Sequence, residues 1–475
     1  LKKDKIILLG ILMSIIKRKI AVLFVGKKYP KRAQIFKNSL KFDGSIDFHE
    51  FHKIDRNFVF KTPLIVQKYN SDIWSNIKMY SGGDDEIEMS LHRWYWLLYD
   101  QKDLTLLSLE QKVDLISEWI HQNPYNESSS AWQSYTISER LSSFIISTLL
   151  NNSFIIVRHV VENNSLLLDH VIKCANHLKR NLEYYPDGNT FNHVTNNIKG
   201  LLITAVILKD TELCNDLLNL LEEELEIIFD DDGFLREGSS HYQLIVVRWL
   251  CELKYILIKS EISHVKISEK VHYIIDKAFQ RVGFFLVIDK KTKKASIPLI
   301  GDISPDFDPQ WLTEYFSPDT INHYGRSIIQ FLGIELDTSY ELTQIYEDYS
   351  RVVFMNWLIF VRHSKPRLFF PSHAHEDAGS FLLYFEGHQV IIDPGRVNYN
   401  RPHQEDYYCS SACHNGPIVN GLAGIQSGIY AYLPLNYISV NAIKKSVHQG
   451  IDETNFIIEC ESLKRLNDVN GSRFS

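Results

Sequence analysis

Residues 370–395 read Phe-Pro-Ser-His-Ala-His-Glu-Asp-Ala-Gly-Ser-Phe-Leu-Leu-Tyr-Phe-Glu-Gly-His-Gln-Val-Ile-Ile-Asp-Pro-Gly. In this segment His373, His375 and Asp377 occupy every second position, and two apolar runs joined by a Glu-Gly-His turn lead to Asp393. Alternate side chains of an extended strand share one face, and a hairpin returns the chain to the edge where it began. Two imidazoles and two carboxylates are therefore predicted to meet at one edge of a sheet, as in a metal site or an acid–base site.

The alternative to a functional site is an incidental histidine pair, since the chain contains 19 histidines. A strand that places His, His and Asp on one face cannot bury that face in an apolar core, because burying unpaired polar groups costs free energy. The apolar runs on either side therefore favour a functional site.

A second polar cluster stands at the start of an apolar helix in residues 190–208. Asn192 precedes Asn196 by one helical turn, and His193 precedes Asn197 in the same way, so each pair shares a helix face. A single N-cap residue is common at such a position, but it does not explain four polar side chains. The cluster is therefore a second candidate for function.

A third candidate lies in residues 230–243, which read Asp-Asp-Asp-Gly-Phe-Leu-Arg-Glu-Gly-Ser-Ser-His-Tyr-Gln. The acidic turn leads into another amphipathic helix and places His241 and Tyr242 at the start of that helix. Residues that perform chemistry are often carried on such loops.

In this order, the motifs resemble those of the heparinase II/III superfamily of polysaccharide lyases, which includes heparinases and oligoalginate lyases. The resemblance runs from about residue 91 to about residue 424 and includes Trp132-Gln-Ser-Tyr-Thr-Ile-Ser-Glu-Arg140 and Ser411-Ala-Cys-His-Asn415. It implies an α+β multidomain protein: an N-terminal (α/α) toroid of helical hairpins followed by an antiparallel β-sandwich. The active site would lie in the cleft between them.

The hydrophobic pattern agrees with this order of elements. Helical periodicity predicts helices over Leu104–Ile120, Ser138–Leu150, Leu166–Leu182, Asn197–Leu208, Thr211–Ile228, Tyr242–Ile258 and Val271–Val287. Shorter alternating runs predict strands over Val352–Val361, Phe381–Phe385, Val390–Ile392, Tyr437–Val440 and Phe456–Cys460. We predict an N-terminal extension (1–85), a toroid domain (86–305) and a β-sandwich domain (306–475), the last incomplete at its C-terminus.

Composition limits the partners. A chain of 475 residues with 45% hydrophobic residues can build two or three cores. The net charge of −7 argues against nucleic acid and against broad capture of a polyanion. Six cysteines without a Cys-x-x-Cys pair indicate neither a disulfide framework nor a thiolate zinc site. With this net charge, a lyase that acts on acidic sugars would need its positive charge concentrated in the cleft. The candidate residues are Arg140, Lys199, Arg236 and Arg248. Each of them is alternatively a solvated charge on the surface.

The N-terminal apolar run Ile6–Ile16 is too short to span a bilayer. It resembles the hydrophobic part of a signal peptide, although basic residues follow where small cleavage-site residues belong, and Met13 is an alternative initiator. We expect the cell envelope or periplasm, with the cytoplasm as the alternative. The sequence makes no prediction of oligomeric state.

The resemblance implies cleavage of uronic-acid-containing glycans by β-elimination, which removes the C5 proton, breaks the C4–O bond and leaves a 4,5-unsaturated end. Asn192 and His193 have the chemistry to neutralise the adjacent sugar carboxylate. Tyr242 fits the general acid that protonates the leaving oxygen, and it could also be the base if elimination is syn. His373 fits either a second proton-transfer role or a contact with the sugar carboxylate. Substrate contacts are expected from Arg140, Asn197, Arg236 and Tyr399, with Tyr407 as an alternative to Tyr399.

The resemblance also implies a structural Zn²⁺ ion held by His375, Asp393 and His414. Two histidines and one carboxylate suit that metal, and Asp377 and Asn415 would surround the ligands. A histidine-rich loop that holds no metal is the alternative.

Two other functional classes stay open. A toroid glycoside hydrolase needs a carboxylate pair across the cleft, for which Glu237 with Asp230, Asp231 or Asp232 is available, but the Asn-His and Tyr motifs would then be unexplained. A non-catalytic glycan-binding or biosynthesis-associated protein is the other class. Several aromatic residues would serve either as sugar-stacking platforms or as core: Trp94, Tyr95, Trp96, Trp132 and Tyr135.

Overall fold

The computed structural model describes residues 59–62, 66–68, 73–74, 76–77, 81, 85–98, 107–185, 190–317, 323–336, 343–363, 373–396, 404–416, 418–419, 422–423, 438–448, 451–460 and 473–474. The apolar run Ile6–Ile16, Met13 and Tyr399 lie outside the described residues. Among the described helices, none combines the length and the apolar character that crossing a bilayer requires.

Helices dominate the chain from residue 85 to residue 332. They are α1 (Asp85–His92), α2 (Leu109–Gln122), α3 (Ser134–Leu149), α4 (Phe154–Asn163), α5 (Ser165–Arg180), α6 (Asn192–Ile207), α7 (Thr211–Ile228), α8 (Ser240–Ser260), α9 (Glu269–Phe285), α10 (Pro309–Phe316) and α11 (Tyr324–Leu332), and a short α12 (Gln404–Cys409) follows later. All seven helices predicted from periodicity are present.

The first turns of the helices carry free N–H groups that need acceptors. At α8 the side chain of Ser239 accepts from the backbone N–H of Tyr242, as an N-cap serine commonly does. At α6 the N-cap residue Phe191 has no acceptor side chain. The carboxylate of Glu237 accepts from the backbone N–H of Asn192 instead, at 2.5 Å. A residue remote in sequence thus completes the start of α6.

Helices α3, α6 and α8 form the centre of the helical part. Every residue of α3 is buried, and α6 packs against α3, α7 and α8. Helices that are largely apolar on all sides belong in an interior. Four of the charges they carry form one buried network: Glu139 accepts from Lys199 and, at 3.0 Å, from Arg248, which also lies 3.7 Å from Glu252. Pairing of this kind offsets part of the cost of burying charge.

An antiparallel sheet follows the helices. Its five strands lie in chain order: β5 (Gln344–Ile345), β6 (Tyr349–Phe354), β7 (Trp357–Arg362), β8 (Phe381–Phe385) and β9 (His388–Ile391). A further antiparallel sheet contains β12 (Ile438–His448), β13 (Ile451–Cys460) and β14 (Arg473–Phe474). Two-stranded pairs complete the described strands: β1 (Val59–Lys61) with β2 (Val66–Lys68), β3 (Val287–Ile288) with β4 (Ala295–Ser296), and β10 (Ile418–Val419) with β11 (Leu422–Ala423).

Two predicted strands are corrected. Residues 373–380 form turns and loop before β8, so His373, His375 and Asp377 do not alternate along a strand. The run Val352–Val361 is not one strand but the hairpin of β6 and β7, with Phe354 paired to Trp357. Met355 in the turn has a φ of 53°, a left-handed conformation that permits the reversal. The turn contains neither glycine nor proline, and Asn356 is its one turn-forming residue.

The order of helices first and antiparallel strands second confirms the predicted class. The closure of the helices into a toroid, the packing of the sheets as a sandwich and the three domain boundaries stay predictions. Helices α10 and α11 continue the helical structure beyond residue 305.

The helical part and the sheet part meet at two glycines. Gly301 has a φ of 72°, and a Cβ atom there would lie 2.6 Å from the carbonyl oxygens of Gly238 and His373. The backbone N–H of His373 donates to Glu237 at 3.1 Å, and its carbonyl accepts from Asp302 at 2.9 Å. Only glycine allows three backbone segments to approach so closely. This contact brings the candidate site together.

Candidate functional site

Three of the four predicted catalytic residues lie in contact. The rings of Tyr242, in the first turn of α8, and His373, before β8, are stacked with their centroids 3.6 Å apart and 12° between their planes. The side-chain nitrogen of Asn192, at the start of α6, lies 3.2 Å from Nε2 of His373. Tyr242 is 7% exposed. Side chains from two helices and from the edge of the sheet therefore share one small volume.

Glu237 holds Asn192 in place. Its Oε1 accepts from the backbone N–H of Asn192 at 2.5 Å, and its Oε2 accepts from the amide side chain at 2.6 Å. Because an amide nitrogen only donates, Asn192 orients toward His373 as a donor. Glu237 is fully buried and lies 3.4 Å from Nε2 of His373.

Asp302 lies beneath both histidines of the His-x-His motif. Its Oδ2 lies 2.9 Å from Nδ1 of His373, its Oδ1 lies 2.9 Å from Nε2 of His375, and Arg396 donates to Oδ2 at 3.0 Å. Burial alone would raise the pKa of Asp302, but the hydrogen bonds from the two histidines and the Arg396 charge hold that pKa below its ordinary value. Asp302 is therefore an anionic acceptor. The contact with Asp302 favours the tautomer of His373 in which Nδ1 bears the hydrogen and Nε2 is the acceptor.

His193, the fourth predicted catalytic residue, has its own carboxylate partner. Its Nδ1 lies 3.1 Å from Oε1 of Glu183, and its ring stacks on Phe191 with the centroids 4.6 Å apart. About one third of its side chain is exposed, 34%. Tyr135 contacts the same ring, with 4.8 Å between the centroids. His193 is thus held in one orientation and still open to a ligand.

The three predicted metal ligands come together. One ligand atom from each of His375, Asp393 and His414 can be chosen so that all lie within 4.8 Å of one another. Nδ1 of His414 lies 2.6 Å from Asp393, and the two imidazole rings are 5.2 Å apart. Within the described part of the chain, Nδ1 of His375 and Nε2 of His414 are buried without a hydrogen-bond partner. Buried polar atoms normally have partners, so this donor set fits a zinc ion.

The charge of His375 depends on whether a metal is bound. Burial would lower the pKa of His375, but the hydrogen bond to Asp302 raises it to about 10. Without a metal the ring is therefore an imidazolium at neutral pH. Binding a metal through Nδ1 would release that proton, as metal binding to histidine generally does.

The two residues predicted around the ligands act in different ways. Asn415 bonds the backbone of Phe381 with both ends of its amide, at 2.9 and 2.8 Å, and so anchors the His414 loop to β8. Asp377 is buried and lies 3.8 Å from Nε of Arg362. It pairs with that cation, and no hydrogen bond joins it to the described ligand histidines.

The predicted substrate-binding residues are not gathered in one place. Arg140 is fully buried, its guanidinium lies 4.4 Å from the ring of Trp119, and it donates to the carbonyl of Ala131 at 2.7 Å. Its position does not support contact with a polysaccharide. Asn197 is also buried and donates to Glu183 at 2.9 Å, which places it behind His193.

The other cations and the aromatic residues that were considered for substrate contact are also dispersed or buried. Arg236 is half-buried and donates to the carbonyl of Phe229 at 2.9 Å. Tyr407 is exposed, and Tyr399 lies outside the described residues. The other candidates for cleft charge, Lys199 and Arg248, belong to the internal ion network. The aromatic residues weighed as sugar platforms are all core residues: Trp94, Tyr95, Trp96, Trp132 and Tyr135.

The carboxylate pair of a glycoside hydrolase finds no counterpart in these contacts. Glu237 is engaged by Asn192, and Oδ1 of Asp230 accepts the backbone N–H groups of Asp232 and Phe234 within its own turn. Sequence reasoning missed Asp302 and Glu183 and weighed Glu237 only as a hydrolase acid. The one available signal was the position of Asp302 directly after a glycine in Pro-Leu-Ile-Gly-Asp.

Comparison with known proteins agrees with this geometry. A family model described as heparinase II/III-like, C-terminal, matches residues 349–427, the segment that contains His373 and the three candidate metal ligands. A crystal structure of heparinase III is similar at 14% identity and a TM-score of 0.54, covering 79% of this chain and 57% of that one. A further heparinase III structure has 14% identity and a TM-score of 0.52, covering 84% and 64%.

A mutant of the heparan sulfate lyase HepC from Pedobacter heparinus is similar at 14% identity and a TM-score of 0.50, covering 94% of this chain and 69% of that one. The chain thus spans less than two thirds of the length of the heparinase III structures. No match was found among curated protein sequences. The match over residues 349–427 and the shared fold together confirm that this chain resembles the heparinase II/III superfamily.

Proposed function

We propose that this protein is a polysaccharide lyase that cleaves uronic-acid-containing glycans by β-elimination and leaves 4,5-unsaturated uronate ends. The observation that carries the proposal is the contact of Tyr242, His373 and Asn192, which brings a hydroxyl, an imidazole and an amide to one point. Similar solved structures are those of heparinase III and of a heparan sulfate lyase. Those structures support the reaction class, while the polymer is left to experiment.

The proton transfers follow from the hydrogen bonds. Nε2 of His373 takes the C5 proton, the electrons of that bond form the C4–C5 double bond, and the C4–O bond breaks. The hydroxyl of Tyr242 gives its proton to the departing oxygen. His373 suits the role of base because Asp302 accepts its Nδ1–H, which leaves Nε2 as the acceptor nitrogen once substrate displaces the 3.2 Å contact from Asn192. A proton then passes from His373 to Tyr242, directly or through water, and restores the site.

The C5 proton is weakly acidic, so the sugar carboxylate beside it must be neutralised as charge develops. Asn192 and His193 are the residues we assign to this task. Both are fixed before substrate binds, Asn192 by Glu237 and His193 by Glu183. Donors held in place in this way stabilise developing charge without a reorganisation cost.

Several finer assignments belong to the same proposal. We assign a structural zinc ion to His375, Asp393 and His414, where it would cross-link the loops that carry these residues. The substrate is an acidic polysaccharide or oligosaccharide, and the expected location is the cell envelope or periplasm. The helical and sheet parts would act as separate domains with the cleft between them.

A panel of uronic-acid polymers tests the function. Heparan sulfate, alginate and bacterial capsular uronans are incubated with the purified protein, and ultraviolet absorbance of the unsaturated product is followed. At least one polymer should give a rise that is absent with Tyr242→Phe. No rise with any polymer, from protein shown to be folded, would contradict the proposal.

A further inference from the structure

One carboxylate contacts both histidines of the His-x-His motif. Oδ2 of Asp302 lies 2.9 Å from Nδ1 of His373, and Oδ1 lies 2.9 Å from Nε2 of His375. The first histidine belongs to the candidate catalytic group and the second to the candidate metal group. Asp302 is 2% exposed, so both contacts are shielded from water.

Asp302 is itself held at several points. Its backbone N–H donates to the carbonyl of His373 at 2.9 Å, and its carbonyl accepts from the hydroxyl of Ser239 at 2.7 Å. Arg396 donates to Oδ2 at 3.0 Å. A carboxylate fixed through its backbone and its side chain has little freedom to turn. The directions of its two oxygen atoms therefore determine the directions of the two rings.

The contact with His375 selects one ring atom for a metal. Because Nε2–H donates to Asp302, Nδ1 is the atom that remains, and it is buried without a hydrogen-bond partner among the described residues. Histidine ligands commonly donate their other ring N–H to a carboxylate, which fixes the tautomer and the ring orientation.

The contact with His373 selects the opposite ring atom for chemistry. Here Nδ1 is engaged by Asp302, and Nε2 faces the amide of Asn192 at 3.2 Å. Two histidines only two residues apart are therefore bound to one carboxylate through different nitrogens. Their free nitrogens then serve two different sites.

We propose that Asp302 is a positioning residue for both sites: it leaves Nδ1 of His375 free to bind zinc and Nε2 of His373 free to accept a proton. The second part rests on the proposed lyase function, and the first rests on the proposed zinc site and is independent of the reaction. An asparagine side chain has one acceptor oxygen and one donor nitrogen. Asp302→Asn can therefore hold at most one of the two rings as the wild type does.

The test compares the wild type with Asp302→Asn and with Asp289→Asn. Asp289 is a matched control because it also pairs with a histidine, His388, at 3.0 Å, on an exposed turn outside the site. Zinc affinity is measured by competition with a chelator, folding by circular dichroism, and kcat and KM on a polymer that the wild type cleaves. Asp302→Asn should weaken zinc binding by about 10- to 100-fold and should lower kcat with little change in KM, while Asp289→Asn should match the wild type.

The outcomes separate this inference from the proposed function. Wild-type zinc affinity in folded Asp302→Asn, or a wild type that binds no zinc, would overturn the positioning of His375. Unchanged kcat in that variant would overturn the positioning of His373. If the wild type binds zinc but cleaves no polymer, the lyase proposal is wrong, and so is the positioning of His373 for catalysis. The comparison of zinc affinities would still test the positioning of His375.

A measurement on the wild type covers the case in which Asp302→Asn does not fold. The protein is labelled with ¹⁵N-histidine and loaded with ¹¹³Cd²⁺, and the nitrogen coupled to the metal is identified for His375 by comparison with His375→Ala. Coupling to Nδ1 is expected. Coupling to Nε2 would show that Asp302 does not set the ligand atom.

Discussion

The ring of Tyr242 lies almost parallel to the ring of His373, with 3.6 Å between their centroids. Tyr242 belongs to helix α8, and His373 precedes strand β8, so the contact forms only when the helical part and the sheet part pack together. The phenol of Tyr242 and the imidazole of His373 are thereby held side by side.

Removing only the hydroxyl of Tyr242 should separate catalysis from binding. Tyr242→Phe keeps the stacked ring and deletes the proton donor, so turnover should fall by about 10²- to 10⁴-fold while substrate still binds. Initial rates and a direct binding assay measure the two effects. Tyr273→Phe, on an exposed residue of α9, serves as the control, and near-normal turnover of Tyr242→Phe would remove this residue from the mechanism.

The products distinguish a lyase from a hydrolase. Elimination adds no water, so digestion in ¹⁸O-labelled water should give products with a C4–C5 double bond and no solvent oxygen at the cleaved linkage. Mass spectrometry of the products measures both properties. Saturated products that carry the label would instead show glycoside hydrolysis.

The two neighbouring histidines should behave differently when each is replaced by alanine. His375→Ala should lose bound zinc and melt at a lower temperature, because a metal that binds only the folded protein stabilises it by roughly 4 kcal/mol at 1,000 times its Kd. His373→Ala should keep zinc and lose activity. Elemental analysis, thermal melting and rate measurements test the contrast, and identical behaviour of the two variants would contradict the division of roles.

Buried His323 should make stability sensitive to acid. Burial and the nearby Arg248 charge lower its pKa to about 3, so the folded state keeps the ring neutral while the unfolded chain binds a proton below pH 6.5. The stability due to this neutral ring is present above pH 6.5 and is lost as the pH falls toward 3. Because the unfolded chain binds one more proton than the folded state in this range, the free energy of unfolding falls by roughly 1.4 kcal/mol for each pH unit.

His323→Asn tests this prediction. His323 caps α11 by accepting from Gly325 at 3.1 Å, and asparagine can also cap a helix. Denaturant unfolding of both proteins between pH 7 and pH 4 should show a shallower loss of stability for the variant. Equal slopes would mean that His323 is not the group that responds.

The helices could be predicted because each buries an apolar stripe or its whole surface, which leaves a periodic pattern. The predicted bounds Thr211–Ile228 match those of α7 at both ends, and in the structure the side chain of Asp210 caps this helix by accepting from the backbone N–H of Leu213. The hairpin within Val352–Val361 was missed because its turn uses Met355 at a positive φ. Met355 is 80% exposed, and Asn356 is the one turn-forming residue there, so the local signal for a turn is weak.

The residues of the candidate site likewise divide into those that the sequence predicted and those that it did not. Asn192 was found from its spacing on a helix face, and His373 and His375 from their close spacing in a motif, although residues 373–380 form turns and loop before β8 and not the predicted strand. Asp302 and Glu183 were missed because each is a single acidic residue in a loop, and its role depends on a segment distant in sequence. Arg140 was assigned to substrate because the sequence does not distinguish a cation enclosed by tryptophan rings from one that lines a cleft.

Gly301 limits how far this chain can tolerate mutation. Every other amino acid adds a Cβ atom, which would lie 2.6 Å from the carbonyl oxygens of Gly238 and His373. Those atoms belong to the backbone, so no rotamer change can move them aside. Even alanine would act as a wedge between the helices and the sheet. No other residue can therefore occupy position 301 unless the backbone under His373 moves.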